Sequence, residues 1–271
     1  MKRAQRTLAI LALITAVGCT MQLQPATPPE ESNPPLLINS TDATAPLLDL
    51  SIEAYLDMQP DIVFERTVAN HETNLGYLQA GTTHFVITNH LEVSDDMPLW
   101  AAPLVQDGLA IITNGDNPVS QLSIEQLRRI YRGYITNWQE VGGADLNITL
   151  LSREAGSGTR AEFERLVMGQ QRTSPNAEVI TSPEATVSRM LETPGAIAYI
   201  PFSQTTAGIR IVAIDSVTPS LDTIGASSYP LRYTIYVVGL SEPEGLYRSF
   251  IGWMQSAEGQ QVIRSRYAPL P

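Results

Sequence analysis

An α/β fold built on a largely parallel sheet is what this sequence predicts, and three observations carry the prediction. Short apolar, β-prone runs alternate with helical stretches along the chain, the order that joins parallel strands through crossover helices. One such unit is complete between residues 146 and 168. The run Leu146–Leu151 leads into a glycine turn, Ser152 to Arg160, and out into a helical stretch, Ala161 to Met168, with Phe163, Leu166 and Val167 on one face. The chain is also long enough, at 271 residues, to build two modest lobes once its first segment is set aside.

That first segment is a targeting signal. Lys2, Arg3 and Arg6 precede an apolar core, Leu8 to Ile14, and Ala16-Val17-Gly18 supplies compact residues before Cys19. Residues 1–18 are too short for a conventional membrane span and read as a secretory signal peptide. The join resembles a lipobox, with Cys19 as the lipidated first residue of a bacterial lipoprotein and Ala16 where that pattern usually has Leu. The plainer alternative is an exported protein cleaved nearby. Cys19 is the only cysteine, so no intramolecular disulfide is available and stability must come from the core. Residues 19–35 carry Pro25, Pro28, Pro29, Pro34 and Pro35 and read as an extended tether.

Cleavage after residue 18 removes the only lysine, Lys2, with Arg3 and Arg6. It leaves 14 basic residues against 28 acidic ones, a formal charge near −14. Such a surface argues against nucleic acid and against docking on anionic lipid. It also repels anions at long range, so any anion site must act through local geometry, inside a screening length of about 8 Å.

Taken in order, the elements are these. Leu36–Ile38 is a first strand, Asn39–Ala43 a polar turn, and Pro46 suits the first turn of a helix running to about Met58. Ile62–Val68 reads as a strand, Asn70–Asn74 as a polar turn, and Asn74–Ala80 as a helix closed by Gly81. His84–Thr88 and Leu109–Thr113 are strands. Ser123 caps a helix over Ile124–Tyr131 that buries Ile124, Leu127 and Ile130 and turns Arg128, Arg129 and Arg132 to solvent. Thr136–Glu140 with Gly142 and Gly143 forms a compact turn. Beyond the glycine unit come a helix, Glu184–Leu191, strands at Ala196–Pro201 and Ile209–Ile214, an alternating run at Tyr229–Val238, and a helix, Gly245–Gln255.

The glycine turn carries the chemistry. Gly156 and Gly158 let backbone amides approach a ligand closely, and Thr159 stands where a helix N-cap belongs. With the Ser157 and Thr159 hydroxyls and the Arg153 fork, the stretch reads as an anion cradle of about one positive charge. The bland alternative is a turn capping an ordinary helix, with Arg153 in a surface ion pair.

Several segments together resemble the phosphate-binding proteins of ABC importers: Leu122–Gly133, Ile135–Gly143, Ser152–Arg160, Gly195–Ile200, Tyr229–Leu231 and the ending Tyr267–Pro271. The resemblance implies a two-lobed type 2 periplasmic-binding-protein fold with a ligand cleft between the lobes. It implies crossings near residues 109–118 and 229–238, with lobe one at 36–112 plus 232–271 and lobe two at 113–231. It implies that Arg153, Ser157, Gly158 and Thr159 grip the anion from lobe two.

Lobe one departs from the family pattern. Asn39-Ser-Thr-Asp42 replaces a Gly-Ser-Ser/Thr-Thr turn, keeping Thr41 but setting the charge of Asp42 beside any anion. Asn70-His-Glu-Thr-Asn74 keeps Thr73 of a second turn. His84 stands where the family has an Asp that accepts a proton from phosphate, and Asn89-His90 replaces Ser-Arg. Thr41, Thr73, His71, His84 and Asn89 are therefore the expected lobe-one ligand residues, with His84 donating where the family's Asp accepts. The alternative is that lobe one has lost its half of the site.

The function this implies is an extracytoplasmic solute-binding lipoprotein of the cell envelope, anchored through Cys19 and monomeric. It would deliver a small inorganic oxyanion, phosphate or a relative, to an ABC permease. The competing reading is a sensor, adhesion or accessory lipoprotein without a transport ligand. Catalysis is not expected: Ser157 lies in Gly-Ser-Gly rather than a hydrolase elbow, no histidine follows His90, and no lysine remains for a Ser–Lys dyad. No cofactor is implied, and His71, Glu72, His84 and His90 do not form a recognised metal-ligand spacing.

Overall fold

One strand of fifteen residues, Trp100–Asn114, serves both halves of the molecule in the computed structural model, which describes residues 34–92 and 97–270. The signal peptide, Cys19 and the tether as far as residue 33 lie outside the described residues. Among those described, no helix is long and apolar enough to cross a membrane.

The first half opens with β1 (Leu36–Ser40), α1 (Ala45–Leu56), β2 (Phe64–Glu65), α2 (His71–Gln79) and β3 (Phe85–Thr88), and continues into β4 (Trp100–Asn114). The second half holds β5 (Gln121–Leu122), α3 (Ile124–Tyr131), β6 (Thr149–Arg153), α4 (Gly158–Phe163), β7 (Glu178–Ile180), α5 (Pro183–Glu192), β8 (Ala196–Pro201), β9 (Ile209–Ile214) and α6 (Leu221–Gly225). The chain then returns through β10 (Arg232–Gly239) to α7 (Gly245–Gln255) and α8 (Ala257–Ile263). The strands run β2-β1-β3-β10-β4-β8-β6-β7, with β9 paired to β4 and β5. Pairs β1–β2, β1–β3, β6–β8 and β6–β7 are parallel, while β4 and β10 run against their neighbours.

β4 changes partner in mid-strand. Residues 100–108 pair with β10, and residues 109–114 pair with β8 and β9. The change of partner falls between Gly108 and Leu109. The second strand shared across the middle of the sheet, β10, begins at Arg232. In lobe one, α1, α7 and α8 bring Leu47, Leu48, Tyr55, Phe250, Trp253 and Ile263 onto one sheet face, while Leu78 of α2 meets Val86 and Val238 on the other. In lobe two, Leu127, Ile130, Tyr131 and Phe163 fill one face, and Met190 of α5 packs with Ala110, Ile112, Leu151 and Ile200 on the other. Each lobe is a sheet covered on both sides, as a mostly parallel sheet requires.

Some boundaries differ from the sequence-based expectation. The strand expected over Ile62–Val68 shrinks to two residues, because Val63 and Val68 remain exposed and bury nothing. The helix expected from Asn74 begins at His71, because the Asn70 side chain caps it by accepting from Thr73 N. The helix expected over Ala161–Met168 starts three residues earlier and ends in a π-turn, Glu164–Met168.

Asp107 pins the place where β4 changes partner. It is fully buried, and its carboxylate accepts from Gly108 N at 2.7 Å, Ser203 N at 3.2 Å, Ser203 Oγ at 2.6 Å and Tyr233 OH at 3.3 Å. Burial pushes its pKa up to about 6 despite those donors. A carboxyl raised in the folded state favours folding while protonated. Its contribution is therefore full below the usual value near 4, fades as pH rises to about 6 and is flat above. The expected swing is about 3 kcal/mol. Urea unfolding of the parent and Asp107→Asn between pH 4 and 7 checks this: the difference between them should change across that window and stay constant above it.

Candidate functional site

The carboxyl ends of β1, β3 and β6 meet between the lobes, the usual place for a ligand in an open α/β sheet. β6 ends on Arg153, and the turn Glu154–Gly156 leads to α4. Gly156 has φ +81°, a conformation that favours glycine. The N-cap of α4 is Ser157 rather than the expected Thr159, its hydroxyl accepting from Arg160 N at 3.4 Å. Thr159 thereby becomes the second helical residue, fully buried, with its side chain free to face lobe one.

Arg153 is 1 % exposed, an unusual depth for a guanidinium, so its partners decide what it can do. Nε donates to Glu154 Oε2 and to the Ile180 carbonyl, both at 3.1 Å. Nη2 donates to Asp42 Oδ2 at 2.5 Å, Glu154 Oε1 at 3.1 Å and the Thr181 carbonyl at 3.1 Å. Nη1 is buried with no partner. Burial opposes the charge on Arg153, but Asp42 and Glu154 outweigh it and hold the guanidinium above its usual value. Burial also lifts Asp42 above the usual carboxylate value, against the pull of Arg153. The ion pair is thus neither an open cradle nor a surface contact. It is a bridge from lobe one to lobe two on a buried guanidinium, and Glu154 belongs to it.

Lobe one supplies Thr41 and Asn89. The Thr41 hydroxyl donates to Asn89 Oδ1 at 3.3 Å, and Asn89 Nδ2 donates across the cleft to Thr159 Oγ1 at 3.3 Å. All three are buried. Arg153, Ser157, Gly158, Thr159, Thr41 and Asn89 therefore come together.

His71 stands at the rim. Its Nδ1 lies 2.9 Å from Thr88 Oγ1, and its ring packs edge-on against His90 at 5.2 Å. Burial, with the neighbouring His90, lowers the His71 pKa to about 4, although Glu162 pulls the other way, so His71 is neutral at ordinary pH. His90, on lobe one, sits 2.8 Å from Glu162 on α4. A cavity of about 300 Å³ opens between these side chains and the turn, lined by His71, Glu72, His90, Gly156, Ser157 and Arg160.

Two expected ligand residues do not join the site. His84 precedes β3 and so lies at the opposite end of the strand from Asn89, with its Nδ1 2.7 Å from Tyr247 OH and its side chain beside Leu240 and Glu242. A sequence match to the family's Asp cannot override the strand direction. Thr73 is exposed on the first turn of α2, where the helix buries His71 and Asn74 instead. Because His84 is at the far end, the three histidines do not converge. Gln204 was not foreseen; its Nε2 donates to the carbonyls of Asp42 at 2.9 Å and Ala43 at 3.0 Å. Nothing in its local sequence marks it out.

Comparison with known proteins agrees with this fold. A family model described as a PBP superfamily domain matches residues 25–258. The phosphate-binding protein PstS of Bacillus subtilis is 28% identical over 249 residues, covering 89% of this chain and 82% of that protein. A phosphate-bound structure assigned to phosphate ABC transport in Clostridium perfringens superposes with a TM-score of 0.82 at 26% identity, covering 88% of this chain and all of that one. An ABC-type phosphate transport receptor from Vibrio cholerae gives 0.74 at 26% identity with the same coverage.

Proposed function

The chain belongs to the PBP superfamily, and we propose that it is an extracytoplasmic solute-binding protein that captures a small tetrahedral oxyanion, phosphate foremost, for an ABC permease. The observation that carries this reading is the buried guanidinium of Arg153, whose Nη1 has no partner while Ser157, Thr159, Thr41 and Asn89 gather polar side chains around the same interlobe gap. A buried donor without a partner is costly, and a charge-assisted bond to an oxyanion relieves that cost. The relatives, named for phosphate binding and phosphate transport, support the same ligand class and disfavour the sensor reading.

In this reading lobe one comprises residues 34–108 and 232–271, and lobe two residues 109–231. Arg153 and the start of α4 hold the anion from one side, and Thr41 and Asn89 close on it from the other. His71 shapes the rim as a neutral group. Lipidation at Cys19, the tether to residue 35 and a monomeric state complete the proposal; binding, rather than catalysis, is the activity. Calorimetry of the protein with phosphate, sulfate and arsenate tests it. Heat of binding with at least phosphate is expected, and silence with all three would overturn the reading.

A further inference from the structure

Asp42 has the wrong charge for a residue lining an oxyanion site. It follows β1 in a tight turn, in which the Thr44 and Ala45 amides bond back to the Thr41 carbonyl. From there its carboxylate reaches lobe two and takes Nη2 of Arg153, while its backbone carbonyl accepts from Gln204 of the same lobe. Lobe two thus grips Asp42 at both its carbonyl and its carboxylate. Other contacts join the lobes around the same gap, among them Asn89 to Thr159, the Glu72 amide to the Gly156 carbonyl at 3.3 Å, and His90 to Glu162. Asn89–Thr159 and Glu72–Gly156 join neutral groups, and His90–Glu162 is an ion pair only when His90 is protonated. Asp42–Arg153 is the cross-cleft contact that joins full opposite charges.

The charges around Arg153 sharpen the point. One guanidinium faces two carboxylates, Asp42 and Glu154, so the cluster is already negative by one unit before any ligand arrives. Glu154 adjoins Arg153 in sequence and stays with it wherever the lobes go. Asp42 is 111 residues away and moves with the other lobe. A dianion sharing Arg153 with both would set two further like-charge contacts inside a screening length.

We propose that Asp42 is a tethered occupant of the oxyanion seat: its carboxylate makes the cross-cleft bond to Arg153 that a ligand oxygen otherwise makes, holding the lobes together until an incoming anion displaces it. The inference rests on the oxyanion reading of the same site. Because the competitor is part of the chain, its effective concentration is high and does not vary with conditions outside. It sets a threshold: dilute anion leaves the cleft latched by Asp42, and abundant anion replaces it. An uncharged side chain at this position removes the competitor without removing Arg153.

The experiment compares the parent, Asp42→Asn and Asp42→Ser, each checked for folding by circular dichroism, and the two variants guard each other against a local folding fault. Small-angle X-ray scattering without added anion reads closure, and calorimetry with inorganic phosphate reads affinity. Both variants are expected to be more open than the parent without phosphate, to compact when phosphate is added, and to bind it at least tenfold more tightly. Variants as compact as the parent without phosphate, or binding phosphate no more tightly than a parent that does bind it, would overturn the tether. If the variants open but neither they nor the parent bind phosphate, sulfate or arsenate, the tether stands and the oxyanion reading falls.

Discussion

Arg153→Met is expected to abolish measurable phosphate binding and to cost about 3 kcal/mol of stability. The side chain is 1 % exposed and holds two carboxylates and two backbone carbonyls, so its removal leaves several acceptors without donors at once. Breaking a buried ion pair by deleting one partner typically costs about 3–5 kcal/mol. The low end applies here, because the Asp42 and Glu154 side chains keep 24% and 23% exposure and recover some hydration when released. In a domain of this size that loss lowers the melting temperature by roughly 6–12 °C. Arg153→Lys keeps the charge but not the fork, and it is expected to recover part of the stability and little of the binding. Thermal unfolding and phosphate calorimetry on the same samples separate the two effects. Phosphate affinity within tenfold of the parent in Arg153→Met would show that the guanidinium is not the anchor.

The parts of this molecule that sequence could read are those governed by local chemistry. The helix over Ile124–Tyr131 is a case: Ser123 and Gln126 form a reciprocal capping box at its start, and both its ends fall where the apolar spacing puts them. β8 is another, an unbroken apolar run between Gly195 and Phe202 that is buried on both faces. β4 was legible only from Leu109 onward, because Pro103 interrupts its first half. The ladder accommodates that proline with a bulge, Val105 and Pro103 facing Ile235 and Tyr236 in succession while Leu104 has no partner.

The site was half legible for a related reason. Arg153, Ser157, Gly158 and Thr159 lie on one continuous turn, so their proximity needs no fold to establish it. The lobe-one residues come from different strands, and which end of each strand faces the cleft is a property of the sheet. Asn89 ends β3 and reaches the cleft, whereas His84 precedes β3 and cannot, though the two are five residues apart. The charge of Asp42 was visible in sequence as a conflict with an anion. That Arg153 answers it could be seen only once β1 and β6 were brought together.

Gly158→Ala is expected to weaken phosphate binding while leaving the lobes folded, and the reasons come from opposite ends of one side chain. A Cβ on Gly158 would lie 2.5 Å from Asn89 Oδ1 and 3.4 Å from His90 Cβ, both on lobe one. Asn89 cannot swing aside freely, because it is buried and bonded to Thr41 and Thr159. Within lobe two the same methyl is welcome: residue 158 opens α4 without the positive φ that Gly156 needs, and alanine gains up to about 1 kcal/mol over glycine in a helix. The clash therefore falls on the closed arrangement alone. Overpacking of this kind costs about 2–3 kcal/mol, or at most roughly 30- to 150-fold in phosphate affinity, because the latched form bears the same clash before the anion arrives, with a melting temperature close to the parent's. Gly252→Ala on α7, where nothing lies within 4 Å of the new methyl, is the matched control and should leave binding unchanged. Undiminished phosphate affinity in Gly158→Ala would mean that Asn89 and the start of α4 do not close on each other around the bound anion.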